Sequence, residues 1–235
     1  MLEFITKYFN FITYAFELLA MLIGVFYFRK YKNTSTRIFI FFLIYIVFVD
    51  FIGATYFYDF NFPLTTYLGN LGFKSVAWYN LFWLFGSVLF LMYYIYHVLQ
   101  NRINKNKVVV LVIIFSVLIL GHLFMHPLIF FRENHSFYQL SGAFTLLIAC
   151  SIYFIELINS EAINNAFKTY SFYALSGVIL WWIIITPILF FDAYNTVSDW
   201  DFVNLKRRIF VFANIFMYSC FAIGLIVSKP HFKND

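Results

Sequence analysis

The stretch VVVLVIIFSVLILGHLFMHPLI, Val108 to Ile129, contains no Asp, Glu, Lys or Arg. An uninterrupted apolar run of this length reads as a transmembrane helix, because about 20 residues at 1.5 Å each cross the hydrocarbon of a bilayer. Six further runs have the same character, at about 8–28, 38–57, 77–99, 138–158, 171–190 and 209–228. The expected fold class is therefore all-α: a polytopic membrane helical bundle of about seven transmembrane helices. Residues 1–235 form one integral membrane domain on this reading.

Composition agrees with the pattern. Of 235 residues, 63% are hydrophobic, 25% are aromatic and 11% are charged, which no soluble globular domain matches. The first run ends in Arg29 and Lys30 and lacks a small-residue cleavage site, so it is read as a retained helix and not as a signal peptide.

Basic residues in short loops resist translocation and set orientation. The segment RKYKNTSTR after the first run carries Arg29, Lys30, Lys32 and Arg37, and QNRINKNK after the third carries Arg102, Lys105 and Lys107. Both are expected in the cytoplasm, with the N-terminus outside and the C-terminal KPHFKND inside. The 6–7 segment dissents, since Lys206, Arg207 and Arg208 fall on the outer side. There, Trp200, Phe202, Val203 and Leu205 beside Asp199 and Asp201 suggest either a short amphipathic turn at the interface or a solvated connector.

The formal charge of +5 is explained by membrane lipids, whose anionic headgroups meet basic residues at helix ends. Nucleic acid is excluded as a partner, because no basic run is interleaved with exposed aromatics. No phosphate loop of the G-x-x-x-x-G-K-[ST] type and no G-x-G-x-x-G fingerprint occurs. The connections are too short for a folded domain, so the chain is expected to carry no kinase, ATPase or effector domain of its own. Cys150 and Cys220 lie within helices and read as buried small apolar residues. The near-repeat SFYQLSG (136–142) and SFYALSG (171–177) reads as a shared need for small packing surfaces.

The chemistry lies in polar groups at membrane depth, which cost about 2.5–3.5 kcal/mol each on insertion scales and need partners or a wet cavity. Counting 1.5 Å per residue, Glu17 and Asp50 lie roughly 12–13 Å below the outer surface and His122 roughly 8 Å. Asn80, Ser141, Thr145, Asp192 and Asn214 share that outer half, whereas Glu156 and His97 lie near the inner helix ends. The asymmetry predicts a polar pocket opening outward, with Glu17, Asp50, His122, Asn80 and Asn214 as its ligand-binding or proton-site residues. Glu17 and Asp50 either hydrogen-bond neighbouring helices or share a ligand, ion or proton. His122 and His126, at i and i+4, share one helical face and suit two ligands of a zinc ion. A third ligand would have to come from Glu17 or Asp50. Pro127 tends to end the helix after His126 and leave that side chain near the interface.

Helix 7, IFVFANIFMYSCFAIGLIVS, lacks the lysine of microbial rhodopsins and the histidines of the ceramidase and adiponectin-receptor group; QLSG and ALSG lack the first glycine of the rhomboid motif. Three segments, FELLAMLIGVFYFRKYKNTSTR, YSFYALSGVILWWIIITPILFF and LKRRIFVFANIFMYSCFAIGLI, give the chain its whole-length resemblance. It resembles uncharacterised bacterial seven-transmembrane proteins similar to the membrane sensing modules of some histidine kinases. The resemblance implies a sensing or interaction role and transfers no site residues. The function expected is a non-enzymatic sensor or interaction subunit in the bacterial cytoplasmic (inner) membrane. It would bind a small ligand, lipid or partner in the outer half and signal through a membrane or cytoplasmic protein partner. Two alternatives stay open: a metal-assisted intramembrane hydrolase using His122 and His126, or a transporter or ion-channel subunit using Glu17 and Asp50. No cofactor is expected on the first reading, and zinc on the second.

Overall fold

Backbone N–H and C=O groups find no water in hydrocarbon, so each apolar run must satisfy them internally as a helix. In the computed structural model, which describes residues 8–57, 63–70, 75–132, 136–192 and 200–230, seven helices are long and apolar enough to cross a membrane. They are α1 Phe9–Phe26, α2 Thr36–Thr55, α3 Ser75–Val98, α4 Arg102–Met125, α5 Ser136–Ile158, α6 Tyr170–Phe191 and α7 Trp200–Val227. No strand occurs among the described residues; shorter helical pieces cover Phe28–Tyr31, Pro63–Asn70, Pro127–Arg132 and Glu161–Lys168. The chain is an integral membrane protein.

Each helix packs on its sequence neighbours and α7 returns to α1, so the seven form a closed ring, with α3 also touching α5. The most extensive contacts are those of α7 with α6 and α1. Close approach rests on small residues. A Cβ at Gly142 would come within 3.1 Å of Val88 on α3, and one at Gly177 within 3.1 Å of Phe221 on α7. The two Ser-Gly segments are thus packing surfaces. Tighter still is Gly224, where a Cβ would stand 2.6 Å from the Cβ of Tyr173. Outward faces are apolar: Phe11, Leu22 and Phe26 on α1 and Ile113, Val117 and Phe124 on α4 are exposed, as lipid contact requires. The buried positions of α1 are Glu17, Ala20 and Gly24, an i, i+3, i+7 stripe that turns a carboxyl toward the bundle.

The two ends of the ring differ. At the end where α1 finishes, the Tyr31 hydroxyl lies 3.0 Å from the Leu225 carbonyl and 2.8 Å from the Ser228 hydroxyl. Lys30 reaches the Ile226 carbonyl at 3.3 Å, where a cation suits the last carbonyls of α7. Glu156, expected near an inner helix end, caps α4: its Oε1 accepts from the Gln100 N–H at 2.6 Å and its Oε2 from Asn104 at 2.7 Å. Beneath this network Phe39 sits edge-on to Tyr94, Tyr170 and Phe221, with centroids 4.9–5.3 Å apart. Cys150 is buried and Cys220 half-buried, both as free thiols.

Two helix starts differ from expectation. α4 begins at Arg102, with Asn101 Oδ1 accepting the Ile103 N–H at 2.8 Å, so Arg102, Lys105 and Lys107 ride on helix and not in a loop. α7 begins at Trp200, and Lys206, Arg207 and Arg208, expected in the connection, lie inside it. Hydropathy ended the run there because it cannot distinguish a loop from a helix with a polar stripe facing a cavity. Asp199, Lys74 and the segment 231–235 lie outside the described residues, as do the side chains of Asp192 and Arg132.

α3 is not uniform. Between Ser75–Trp78 and Ser87–Val98 the residues Tyr79–Gly86 form a π-helix. The cause is local: the Tyr45 hydroxyl of α2 donates to the Phe82 carbonyl at 2.6 Å. It occupies the space where a side chain at position 86 would be, and a Cβ on Gly86 would overlap it. A side chain inserted into the ladder widens the helix at that turn.

Candidate functional site

At the end where α1 begins, the ring opens into a cavity of about 890 Å³ lined from α1, α2, α3, α5, α6 and α7. Its walls are rich in aromatic side chains, among them Tyr14, Trp78, Tyr79, Trp83, Trp181 and Tyr218. The fold places them there by helical spacing. On α7 the lining residues Val203, Lys206, Arg207, Phe210, Asn214, Met217 and Tyr218 follow an i, i+3, i+4, i+7 rule. One stripe therefore carries basic groups at the mouth, an amide midway and a phenol at depth.

The residues of α1 match this stripe in register, since α1 and α7 run parallel. Arg207 lies over the Phe9 ring, 5.2 Å from its centroid. Asn214 Nδ2 faces Thr13 Oγ1 at 3.4 Å, while its Oδ1 accepts from Trp181 Nε1 at 2.6 Å. Deeper still, the Glu17 and Asp50 carboxyls and the Tyr218 hydroxyl lie close together. Asp50 lines the cavity, and Glu17 stands behind it, 1% exposed. Glu17 Oε2 is buried with no hydrogen-bond partner among the described residues.

Two backbone irregularities face this space. The π-segment contributes Tyr79 and Trp83, whose rings stack 4.7 Å apart at 8°. Pro187 interrupts α6 between the lining residues Ile185 and Leu189 and removes the N–H that would bond the Ile183 carbonyl. Trp83, Trp181, Trp182, Met217 and Tyr218 form the floor, below which a second, small space of about 50 Å³ reaches Ser87.

The five residues expected to share a pocket are divided by the structure. Glu17, Asp50 and Asn214 come together around α7. Asn80 is buried and does not line the cavity; its Nδ2 donates to the Phe130 carbonyl at 2.8 Å, which fastens the short helix Pro127–Arg132 to α3. His122 lies at the α4–α5 contact: its Nδ1 is hydrogen-bonded to the Tyr138 hydroxyl at 2.7 Å, and its ring stacks on Phe137 at 4.9 Å. Tyr138 in turn packs edge-on against Phe130. His126 is exposed at the end of α4, its ring 5.0 Å from that of His122. Among the described residues no group of three His, Cys, Asp or Glu side chains could hold a metal ion, and the carboxyl pair does not complete the histidines. Ser141 and Thr145 bond back to carbonyls four residues earlier.

Sequence reading passed over Tyr79, Trp181, Tyr218, Lys206 and Arg207. The signal for the last two was the dissenting basic cluster itself, which sits at the mouth of a cavity. The three comparisons, with family models, with curated proteins and with solved structures, give no match.

Proposed function

We propose that this chain is a non-enzymatic membrane sensor or interaction subunit whose ligand occupies the cavity between α1, α2, α3, α6 and α7. The observation that carries the reading is the cavity itself: about 890 Å³, aromatic-walled, with a few polar groups converging on it, which is the usual make-up of a small-molecule site. The basic segments around Arg29–Arg37 and Arg102–Lys107 gather at the opposite end. By the positive-inside rule the cavity then faces away from the cytoplasm of a bacterial inner membrane. α7 links the two ends, lining the cavity through Tyr218 and joining the Tyr31 network through Leu225 and Ser228. Occupancy would shift α7 against α1 if the ligand binds one arrangement better than the other, and a membrane or cytoplasmic partner would read that shift.

Mass spectrometry of the chain released from native membranes tests this reading. The wild type should carry a small molecule that Gly53→Phe does not, since Gly53 lines the cavity and a Cβ there meets nothing closer than Trp78 at 3.9 Å. Equal loads on both proteins would sink the proposal. A second reading, a transporter or channel subunit, is favoured by the Glu17–Asp50 pair, two carboxyls at membrane depth. It requires cation or proton flux in proteoliposomes that Glu17→Gln and Asp50→Asn remove.

A further inference from the structure

Charge is distributed along the cavity, not scattered around it. Lys206 and Arg207 stand at the mouth, Asp50 stands at the floor, and aromatic rings line the length between them. On α7 the distance from Arg207 to Tyr218 is 11 residues, or roughly 16 Å of helix; on α1 the matched distance from Phe9 to Glu17 is 8 residues, or roughly 12 Å. The deep end suits a cation for two reasons. The Asp50 carboxyl lines that end, and the rings of Trp78, Tyr79 and Trp83, which line the same cavity, offer faces that attract an ammonium. The mouth suits an anion, because a guanidinium is a fixed cation that recognises carboxylate or phosphate. The middle offers the Phe210 ring and the Asn214 amide, which accept an apolar body with an occasional polar group.

Resting on the ligand-cavity reading above, we propose that the ligand is an elongated dipolar molecule of peptide-like chemistry. Its ammonium lies at Asp50, its carboxylate lies at Lys206 and Arg207, and its body is apolar. An extended peptide spans about 3.3–3.6 Å per residue, so roughly 12–16 Å corresponds to about four residues. A phospholipid headgroup, whose ammonium and phosphate are only a few bonds apart, cannot bridge the two ends.

The full-length chain in nanodiscs provides the test. Of its five tryptophans, Trp78, Trp83, Trp181 and Trp182 line the cavity, so intrinsic fluorescence reports occupancy. The probes are a leucine–alanine tetrapeptide with free termini, its N-acetyl, C-amide and doubly blocked forms, a dodecylamine and a neutral alkyl maltoside. The free peptide should change the fluorescence saturably, and blocking either terminus should weaken binding at least tenfold. Asp50→Asn should abolish the difference made by acetylation alone, and Arg207→Gln the difference made by amidation alone. Each variant is checked first for an unchanged gel-filtration profile. If the doubly blocked peptide, the maltoside or the amine binds as tightly as the free peptide, the dipolar assignment is overturned while the cavity reading survives. If no probe alters the fluorescence and Gly53→Phe leaves native ligand loading unchanged, both fall.

Discussion

The two ends of this bundle are built from the same residue types and use them in opposite ways. Where α1 finishes, tyrosines and a carboxylate close on backbone: Tyr31 on the last turn of α7, Glu156 on the first turn of α4. Where α1 begins, tyrosines, tryptophans and carboxyls surround about 890 Å³ of open space. The difference teaches that a polar residue in a membrane helix is glue when backbone ends lie within its reach. It becomes a binding group when the helices around it are held apart. Near the open end two helices depart from regularity, α3 in the π-segment beside Tyr45 and α6 at Pro187.

The sharpest way to break this contrast is overpacking. Gly224→Leu would drive a side chain into Tyr173 and should cost about 3 kcal/mol or prevent assembly, whereas Gly53→Ala at the cavity should change the unfolding midpoint little. Thermal unfolding in one detergent measures both. Equal effects would mean that the cavity end is packed as densely as the other.

His122→Ala comes next. It removes the hydrogen bond to the Tyr138 hydroxyl, a loss of roughly 1 kcal/mol, read by the same melt. His126→Ala, at an exposed helix end, should stay within about 0.5 kcal/mol. If the outer histidine proves the more costly one, the α4–α5 tie is misassigned. Tyr31→Phe removes one hydroxyl from the closed end and should cost about 1 kcal/mol with ligand loading intact. Asn214→Ala is its counterpart at the other end: a stability change of similar or smaller size, accompanied by a clear fall in ligand retention by mass spectrometry.

Much of this architecture was legible because hydrocarbon imposes simple rules. Seven apolar runs became seven helices, since length and hydropathy alone decide what can cross. Counting 1.5 Å per residue placed Glu17 and Asp50 at matched depth, and they do meet. The remainder depended on facing, which depth does not encode. His122 matches the carboxyls in half of the membrane yet turns to α5, and Asn80 turns to Phe130. The start of α7 was lost for a related reason: Lys206 and Arg207 lower hydropathy in the same way whether they lie in a loop or point into a cavity. Nor could the π-segment be read from sequence, because it arises from a contact between Tyr45 on α2 and the space left by Gly86 on α3.

The central claim is that the space beneath Lys206 and Arg207 is open to water on one side of the membrane. In a Trp200→Phe variant the four remaining tryptophans all line that space, so acrylamide added to the chain in nanodiscs samples the cavity alone. The account predicts substantial quenching, suppressed when Gly53→Phe fills the cavity. Fluorescence that acrylamide cannot reach in either protein would contradict it.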